Sequence, residues 1–239
     1  MSEPTPLVPA NANIRLEAER LYLLLAALFM AALVTCNLIA NKFVTVDLRF
    51  LGFAEPFTLS AGVLPFPITF LITDVLSEIY GKARTQRVVF MGFFALIFTT
   101  FILWLGAQFP AIATSPISDA HYQIAFGNSW RVIAASMAAY LVAQLVDVRL
   151  FHFWKDLTNG QHLWLRNNAS TIFSQLVDTT LVVGVLFIGT LPLGTMGNFI
   201  WDGWLFKSLC ALADTPLIYA ISALLRRRFG LKFGQELGF

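Results

Sequence analysis

The sequence predicts an all-α membrane protein with six transmembrane helices, the second of them kinked or broken, and a small β-hairpin between helices one and two. Composition is the first reason: 57% of the 239 residues are hydrophobic and 13% are charged, whereas soluble domains carry about 25% charged residues. The second reason is a succession of six apolar segments of about 20 residues, each long enough to cross about 30 Å of hydrocarbon. The third is the presence of prolines and carboxylates inside one of these segments.

The apolar segments account for most of the chain and leave no room for a separate soluble domain. We expect a polar cytoplasmic tail at 1–20, the six-helix membrane domain at 21–226 and a basic cytoplasmic tail at 227–239. The first tail lacks the basic start of a cleaved signal peptide. The predicted spans are Leu21–Ala40, Ser60–Tyr80, Val88–Phe109, Trp130–Trp154, Ser170–Leu191 and Phe199–Leu225.

The second span contains both prolines and acids. Pro65 and Pro67 stand at its front, where the missing backbone donor and the steric clash of proline prevent a straight helix from running through. Asp74 and Glu78 follow at a spacing of four, which places both carboxylates on one helix face. A broken membrane helix that carries acids is typical of a binding or transport site.

The connection after the first span has the pattern of a strand. Apolar and polar residues alternate from Val44 to Phe50, and Gly52 and Pro56 come before another short apolar run. We therefore predict a small β-hairpin that lies at the membrane surface and caps the bundle.

Lysine and arginine are distributed asymmetrically along the chain. If the amino terminus is cytoplasmic, all but four of the 16 basic residues fall on the cytoplasmic side. Because cytoplasmic loops carry an excess of basic residues, this predicts an even number of spans with both termini in the cytoplasm, and in a bacterium the inner membrane. The four exceptions are Lys42, Arg49, Arg131 and Lys207.

Several classes of function are disfavoured. The net charge of +2 is small and its basic residues are dispersed, so we expect no nucleic-acid partner. Cys36 and Cys210 lie in apolar runs and do not indicate a disulfide. No HExxH or GxSxG pattern occurs and the three histidines are scattered, so we predict no catalytic residues, no metal and no cofactor.

Four predicted spans carry an aspartate away from their ends, although an aspartate at the centre of a membrane helix costs about 2.5–3.5 kcal/mol on insertion scales. At about 1.5 Å per residue, Asp74 and Asp147 each lie about 12 Å from a basic residue at the cytoplasmic end, and Asp178 and Asp214 about 18 Å. Helices that run in opposite directions therefore bring acids to a similar depth. We interpret this agreement as one shared polar cavity.

Each acid has polar neighbours at helical spacing. The tetrapeptide Gln-Leu-Val-Asp ends at both Asp147 and Asp178, so that each carboxylate has an amide on the same face. Arg166 fits a substrate contact and a membrane anchor equally well. The predicted substrate-binding residues are Asn37, Asp74, Glu78, Gln144, Asp147, Arg166, Ser174, Gln175, Asp178, Lys207 and Asp214.

A cavity of carboxylates and carboxamides matches a planar, nitrogen-rich heterocycle, since such a ring presents N–H donors and a carbonyl. Neighbouring aromatic rings would stack on its faces. A cationic substituent is favoured among the acids and an anionic substrate is disfavoured. The competing interpretation is that these polar groups only join the helices through hydrogen bonds, although Ser or Thr would do so at lower cost.

From about Asn37 to Tyr219 the chain resembles the queuosine precursor transporter family, bacterial six-span proteins once grouped with vitamin uptake transporters. The resemblance rests on several stretches taken together, namely 37–42, 66–81, 144–147, 164–171, 174–179, 206–207 and 214–216. It implies the uptake of 7-deazaguanine precursors, such as 7-cyano-7-deazaguanine or its aminomethyl form, for salvage into the tRNA nucleoside queuosine.

Two other classes of function remain to be compared with a secondary transporter. A substrate-binding membrane subunit of a multi-subunit ATP-driven importer is also a small six-span protein, and this chain has no phosphate-binding loop of its own. An intramembrane enzyme would use paired aspartates as acid and base, but no catalytic motif accompanies them. The sequence leaves open a homo-oligomer and the energy source, either proton coupling or facilitated diffusion.

Overall fold

The structure is a computed structural model. It describes residues 7–9, 12–40, 42–47, 49, 56–127, 130–187, 192–232 and 235–238. Within these residues the chain is mainly helical, with four short strands. The helices are α1 (Ala12–Leu38), α2 (Phe66–Ile79), α3 (Lys82–Ala107), α4 (Asp119–Phe126), α5 (Trp130–Leu157), α6 (Leu163–Phe187) and α7 (Leu193–Phe229), and the strands are β1 (Leu7–Pro9), β2 (Phe43–Val46), β3 (Phe57–Ser60) and β4 (Glu236–Gly238).

The strands form two separate pairs. Between α1 and α2, β2 pairs with β3 in antiparallel register, with Phe43 opposite Ser60 and Val46 opposite Phe57. The strand pair occupies the region where the alternating sequence predicts a hairpin, but most of the connecting turn (48 and 50–55) lies outside the described residues. Its position at a membrane surface stays a prediction. The other pair joins the two ends of the chain, because β1 lies parallel to β4.

The front of the predicted second span is broken, as its two prolines indicate. A short 3₁₀ turn at Ala61–Val63 comes first, and the Ser60 hydroxyl caps it by accepting a hydrogen bond from the Gly62 backbone N–H at 3.2 Å. α2 then starts after Pro65, with Pro67 in its first turn, where the missing N–H of a proline has no helical partner to lose. The 14 residues of α2 rise only about 21 Å.

α2 is the most enclosed of the apolar helices and packs against α1, α3, α5 and α7. In the most apolar part of the 3₁₀ turn and α2, 61% of the residues are buried. The corresponding share of buried residues in α1, α3 and α7 is only 22–28%. These four segments are long and apolar enough to cross a membrane. α5 and α6 have 28 and 25 residues, which is also a spanning length. The total of six spans stays a prediction.

The exposed surface of the bundle is apolar. On α3, for example, Phe94 and Phe98 are each 65% exposed and Phe101 is 50% exposed. Such an apolar surface is suited to contact with lipid. The apolar helices are therefore those of a multi-pass membrane protein.

Several boundaries differ from the sequence prediction. α1 begins at Ala12, and the region predicted as a polar tail therefore contains β1 and more than two turns of helix. At the other end, the predicted basic tail contains the last residues of α7 and all of β4. α4 was not predicted, although Ser118 marks its start by accepting a hydrogen bond from the His121 backbone N–H. Eight residues are too few for an apolar period to be recognised.

Candidate functional site

α2, α6 and α7 line a partly open pocket with about 20 Å³ of free space, called the central cavity below. This free space is about that of one water molecule, so a larger ligand requires the walls to move apart. Helical spacing explains which side chains face it: Asn167, Thr171 and Gln175 follow one another at intervals of four along α6. The polar lining residues are Asp74, Asn167, Thr171, Gln175, Lys207 and Asp214.

The apolar part of the wall comes mainly from the first two turns of α2. Phe66 and Phe70 stand one turn apart with ring centroids 5.5 Å from each other. They line the cavity together with Leu71 and, from α7, Ala211. The cavity therefore combines the aromatic rings and Asp74 of α2 with polar groups of α6 and α7.

Several polar atoms of the central cavity have no hydrogen-bond partner among the described residues. Asp74 is 2% exposed and its Oδ1 is unpaired, as are the side-chain oxygens of Asn167 and Gln175. All three are acceptors. Because a buried polar group without a partner is costly, these atoms indicate a ligand or water that supplies N–H or O–H donors.

Aspartates of three helices, α2, α5 and α7, lie close to one site, and a fourth of α6 lies beside it. The Asp74 carboxyl lies close enough to Asp147 and Asp214 to interact with them electrostatically. Asp147 stands behind the lining and is held by the Ser174 hydroxyl, which donates a hydrogen bond to its Oδ1 at 2.9 Å. Asp178 lies further along α6 and accepts a hydrogen bond from Lys207 Nζ at 2.7 Å.

Lys207 is fixed at one border of the cavity. Besides Asp178, its ammonium group donates to the Thr179 hydroxyl at 3.3 Å and lies 4.8 Å from the centroid of the Phe66 ring. The ammonium is thus neutralised by a carboxylate and packed on an aromatic face. Lys207 therefore forms part of the cavity wall, and its positive charge is paired with Asp178.

At the opposite end of α2, one turn beyond Asp74, lies a cluster of buried charges, called the charge cluster below. The Glu78 carboxylate forms ion pairs with Arg166 of α6 and Arg226 of α7, and Lys155 Nζ of α5 is 3.9 Å away. Lys155 also binds Glu236 of β4 at 2.8 Å. All five residues are buried, so the cluster ties four helices and β4 together inside the protein.

The comparison with known proteins decides the family. Residues 60–221, which include the central cavity and most of the charge cluster, match the family described as "Putative vitamin uptake transporter". The chain belongs to this family. The resemblance to queuosine precursor transporters that the sequence motifs indicated is thereby confirmed, because the similar proteins bear that name.

Three similar proteins illustrate the likeness. The chain is 32% identical to the "Probable queuosine precursor transporter" of Bacillus subtilis (strain 168), over 74% of this chain and 78% of the relative. It is 28% identical to the protein of the same name from Haemophilus influenzae and 26% identical to the "Queuosine precursor transporter" of Escherichia coli (strain K12), spanning 59% and 62% of their lengths. No solved structure matches the chain significantly.

In this transporter, the structure brings most of the predicted site residues together. Four of them line the central cavity: Asp74, Gln175, Lys207 and Asp214. Asp147, Ser174 and Asp178 support that lining from behind or from the side. Their role in binding stays a prediction.

Four other predicted residues lie elsewhere. Glu78 and Arg166 belong to the charge cluster. Gln144 is fully buried, and both polar atoms of its amide lack a hydrogen-bond partner among the described residues. Asn37 is exposed and donates to the Leu33 carbonyl of its own helix at 2.9 Å, so the structure does not bring it to the cavity.

The sequence prediction missed other members of the site. Phe66, Phe70 and Asn167 line the cavity but were not among the predicted binding residues, although helical spacing from Asp74 and Gln175 would have found them. Glu236 was missed because nothing in the sequence links it to Lys155, which is 81 residues away. Within the described part of the chain, no group of three or more histidines, cysteines and acids is arranged to hold a metal ion.

Proposed function

We propose that this protein imports queuosine precursors, namely 7-cyano-7-deazaguanine or 7-aminomethyl-7-deazaguanine, across the bacterial inner membrane for salvage into tRNA queuosine. The names of the three relatives support the substrate class. The observation that carries the assignment of the site is a pocket in which the unpaired oxygens of Asp74, Asn167 and Gln175 are acceptors, beside the unpaired hydroxyl of Thr171. In this proposal the protein has six spans and both of its termini are cytoplasmic.

A 7-deazaguanine ring complements the central cavity in two respects. Its edge carries several N–H donors, which match the unpaired oxygens of Asp74, Asn167 and Gln175. Its faces are flat and aromatic, and Phe66 and Phe70 offer ring surfaces on the adjoining wall. The ring would lie between these phenylalanines and the polar face of α6.

Two ion-pair sites near the cavity suit a transport cycle. Lys207 of the Lys207–Asp178 pair lines the cavity, and the charge cluster around Glu78 lies one helical turn beyond the lining residue Asp74. Given the predicted orientation, the charge cluster lies on the cytoplasmic side. Separating the two charges of a buried ion pair is costly. We therefore propose that the cavity opens by movements in which each ion pair stays intact and its two residues move as a unit.

The central test is the Asp74→Asn variant. We expect precursor uptake to fall by at least about tenfold, because a hydrogen bond to a charged group contributes about 1.5–3 kcal/mol and about 1.4 kcal/mol corresponds to a factor of ten. Uptake of labelled precursor is measured in cells that cannot synthesise it, with the amount of membrane-inserted protein determined in parallel.

Asp47→Asn is the matched control, since Asp47 is an exposed acid that pairs with Arg49 outside the helices. Its uptake is expected to stay close to that of the unmodified protein. Full uptake by Asp74→Asn at equal protein level would contradict the assignment of the central cavity as the substrate site.

A reconstitution experiment separates a self-sufficient transporter from a subunit of an ATP-driven importer. We expect the purified protein, alone in liposomes, to move labelled precursor down its gradient, because the cavity and its closing charges are complete within one chain. Movement that requires added ATPase subunits and ATP would show that the importer-subunit alternative is correct. Liposomes with the Asp74→Asn variant serve as the control.

A further inference from the structure

One face of α5 carries a row of buried polar side chains that reaches behind the central cavity. Tyr140, Gln144 and Asp147 follow one another at spacings of four and three residues, so they share a face and span about 10 Å of the helix. Among the described residues, the Tyr140 hydroxyl, both polar amide atoms of Gln144 and Asp147 Oδ2 have no hydrogen-bond partner. Such groups are the partners that buried water molecules require, about two to four for each. The row therefore indicates a hydrated path through the protein interior.

The two ends of this row adjoin other polar groups. Tyr140 lies within electrostatic range of Asp178, the partner of Lys207 at the cavity wall. At the other end, Asp147 Oδ1 accepts a hydrogen bond from the Ser174 hydroxyl at 2.9 Å. The row thus connects the ion pair beside the cavity with a carboxylate behind it.

The surroundings of Asp147 contain hydroxyl groups and another acid. From α2, the Asp74 carboxyl lies within electrostatic range, and it interacts in turn with Asp214 of α7. The hydroxyl groups of α6 that face Asp147 belong to Ser170, Thr171 and Ser174. α3, which also packs on α5, contains no acid and has its basic residues in its first two turns. On α5 itself, Lys155 is two turns away and binds Glu236.

Among the described residues, no cation lies within ion-pair distance of Asp147, although Asp147 is only 1% exposed. An ionised carboxylate is costly to bury without a cation, whereas the neutral acid is not. The neutral acid also gains an O–H donor, and the unpaired amide oxygen of Gln144 on the same face is an acceptor. Asp147 is therefore suited to take up and release a proton.

Asp147 is coupled to the central cavity through Asp74. Two carboxylates within electrostatic range repel each other when both are ionised. A proton on Asp147 removes this repulsion, and an ionised Asp74 accepts hydrogen bonds from the N–H donors of a ring more strongly than a neutral one. By thermodynamic linkage, a substrate bound at Asp74 favours the proton on Asp147 to the same extent. Substrate and proton thus bind together.

We propose that the protein is a proton symporter in which Asp147 carries the proton. One proton from the outer side joins the Asp147 carboxylate to give the neutral acid, and it leaves on the cytoplasmic side after the precursor has crossed. No bond of the precursor changes. The inference rests on the proposed function and adds its energy source.

The experiment uses the purified protein in liposomes with labelled 7-cyano-7-deazaguanine, which has no aliphatic amine to carry a charge of its own. Potassium and valinomycin hold the membrane potential at zero. A medium more acidic than the interior by about one pH unit drives about a tenfold accumulation if one proton moves with each precursor. We expect the unmodified protein to reach about this ratio of inner to outer concentration and to lose it when a protonophore is added.

Asp147→Asn cannot carry a proton but keeps an acceptor oxygen for the Ser174 hydroxyl. Its concentration ratio should stay near one, however slowly it is reached, because the final ratio does not depend on the rate. Asp147→Glu, which keeps the carboxyl group, should retain accumulation. Asp156→Asn is the matched control, since Asp156 is an exposed acid on the same helix, and its ratio should equal that of the unmodified protein.

Two additions keep the test decisive if Asp147→Asn does not fold. Asp147→Ser, which is smaller and also lacks a carboxyl group, is measured in its place. A pH-sensitive dye inside liposomes that hold the unmodified protein reports proton movement directly. Adding precursor outside, with no initial pH difference, should acidify the interior, and an unchanged internal pH during precursor entry would contradict symport.

The remaining outcomes separate this inference from the proposed function. A ratio of one for the unmodified protein in the pH gradient overturns proton coupling but leaves precursor import standing. An unchanged ratio in Asp147→Asn overturns the role of Asp147. A folded Asp147→Asn variant that moves no precursor in either direction also overturns it, since Asp147 would then be a substrate-binding residue. No movement by the folded, unmodified protein overturns the proposed function, and this inference with it.

Discussion

Replacing Glu78 with Gln is expected to lower the free energy of unfolding by about 3–5 kcal/mol, because removing one partner of a buried ion pair leaves the remaining charges uncompensated. Glu78 is fully buried and pairs with Arg166 and Arg226, while Lys155 lies 3.9 Å away. The neutral amide would leave the three buried cations of the charge cluster with one carboxylate fewer. Unfolding of the purified protein in detergent measures the change, and the yield of inserted protein should fall with it.

The control for Glu78→Gln removes a carboxylate of the same type from an exposed ion pair. Glu17 and Arg228 lie 3.1 Å apart with side chains that are 51% and 63% exposed. Glu17→Gln should therefore change the free energy of unfolding by no more than about 1 kcal/mol. If Glu78→Gln proves as stable as Glu17→Gln, the charge cluster does not hold the helices together.

The second large effect concerns Lys207, where stability and transport are expected to separate. Lys207→Met should cost about 3–5 kcal/mol, since it leaves the Asp178 carboxylate buried without its cation. Adding Asp178→Asn removes that charge, and the double variant should regain most of the lost stability. Unfolding in detergent, measured for both single variants and the double variant, gives the coupling energy of the pair.

Transport is expected to stay impaired in the double variant even when stability returns. Lys207 lines the cavity and lies over the Phe66 ring, so its loss changes the wall against which the substrate packs. Uptake in cells provides the readout. A stable double variant with normal uptake would show that the pair serves the fold alone.

The proximity of aspartates from different helices is the part of the site that the sequence predicted well. Insertion cost and helical rise require no knowledge of packing, and they were enough to predict a similar depth for Asp74, Asp147, Asp178 and Asp214. In the structure the Asp74 carboxyl lies within electrostatic range of Asp147 and of Asp214, whereas Asp178 pairs with Lys207. The break at the front of α2 was equally predictable, because the effect of Pro65 and Pro67 is local.

Partnerships between helices could not be predicted in the same way. Lys207 shares a helix face with Asp214, yet its ammonium binds Asp178 of α6, since only the packing of the two helices decides which acid lies within reach. Asn37 was expected in the cavity wall, but its amide bonds to the Leu33 carbonyl of its own helix. A polar side chain in a helix always has this local alternative, and the sequence does not say which is chosen.

The parallel pairing of β1 with β4 constrains the topology of the whole bundle. The predicted even number of spans agrees with this pairing, because chain ends that share a strand pair are expected on one side of a membrane. α1, α2 with its 3₁₀ turn, α3 and α7 supply four apolar segments. The predicted total of six crossings requires that both α5 and α6 cross as well. Their lengths of 28 and 25 residues favour the crossing pair.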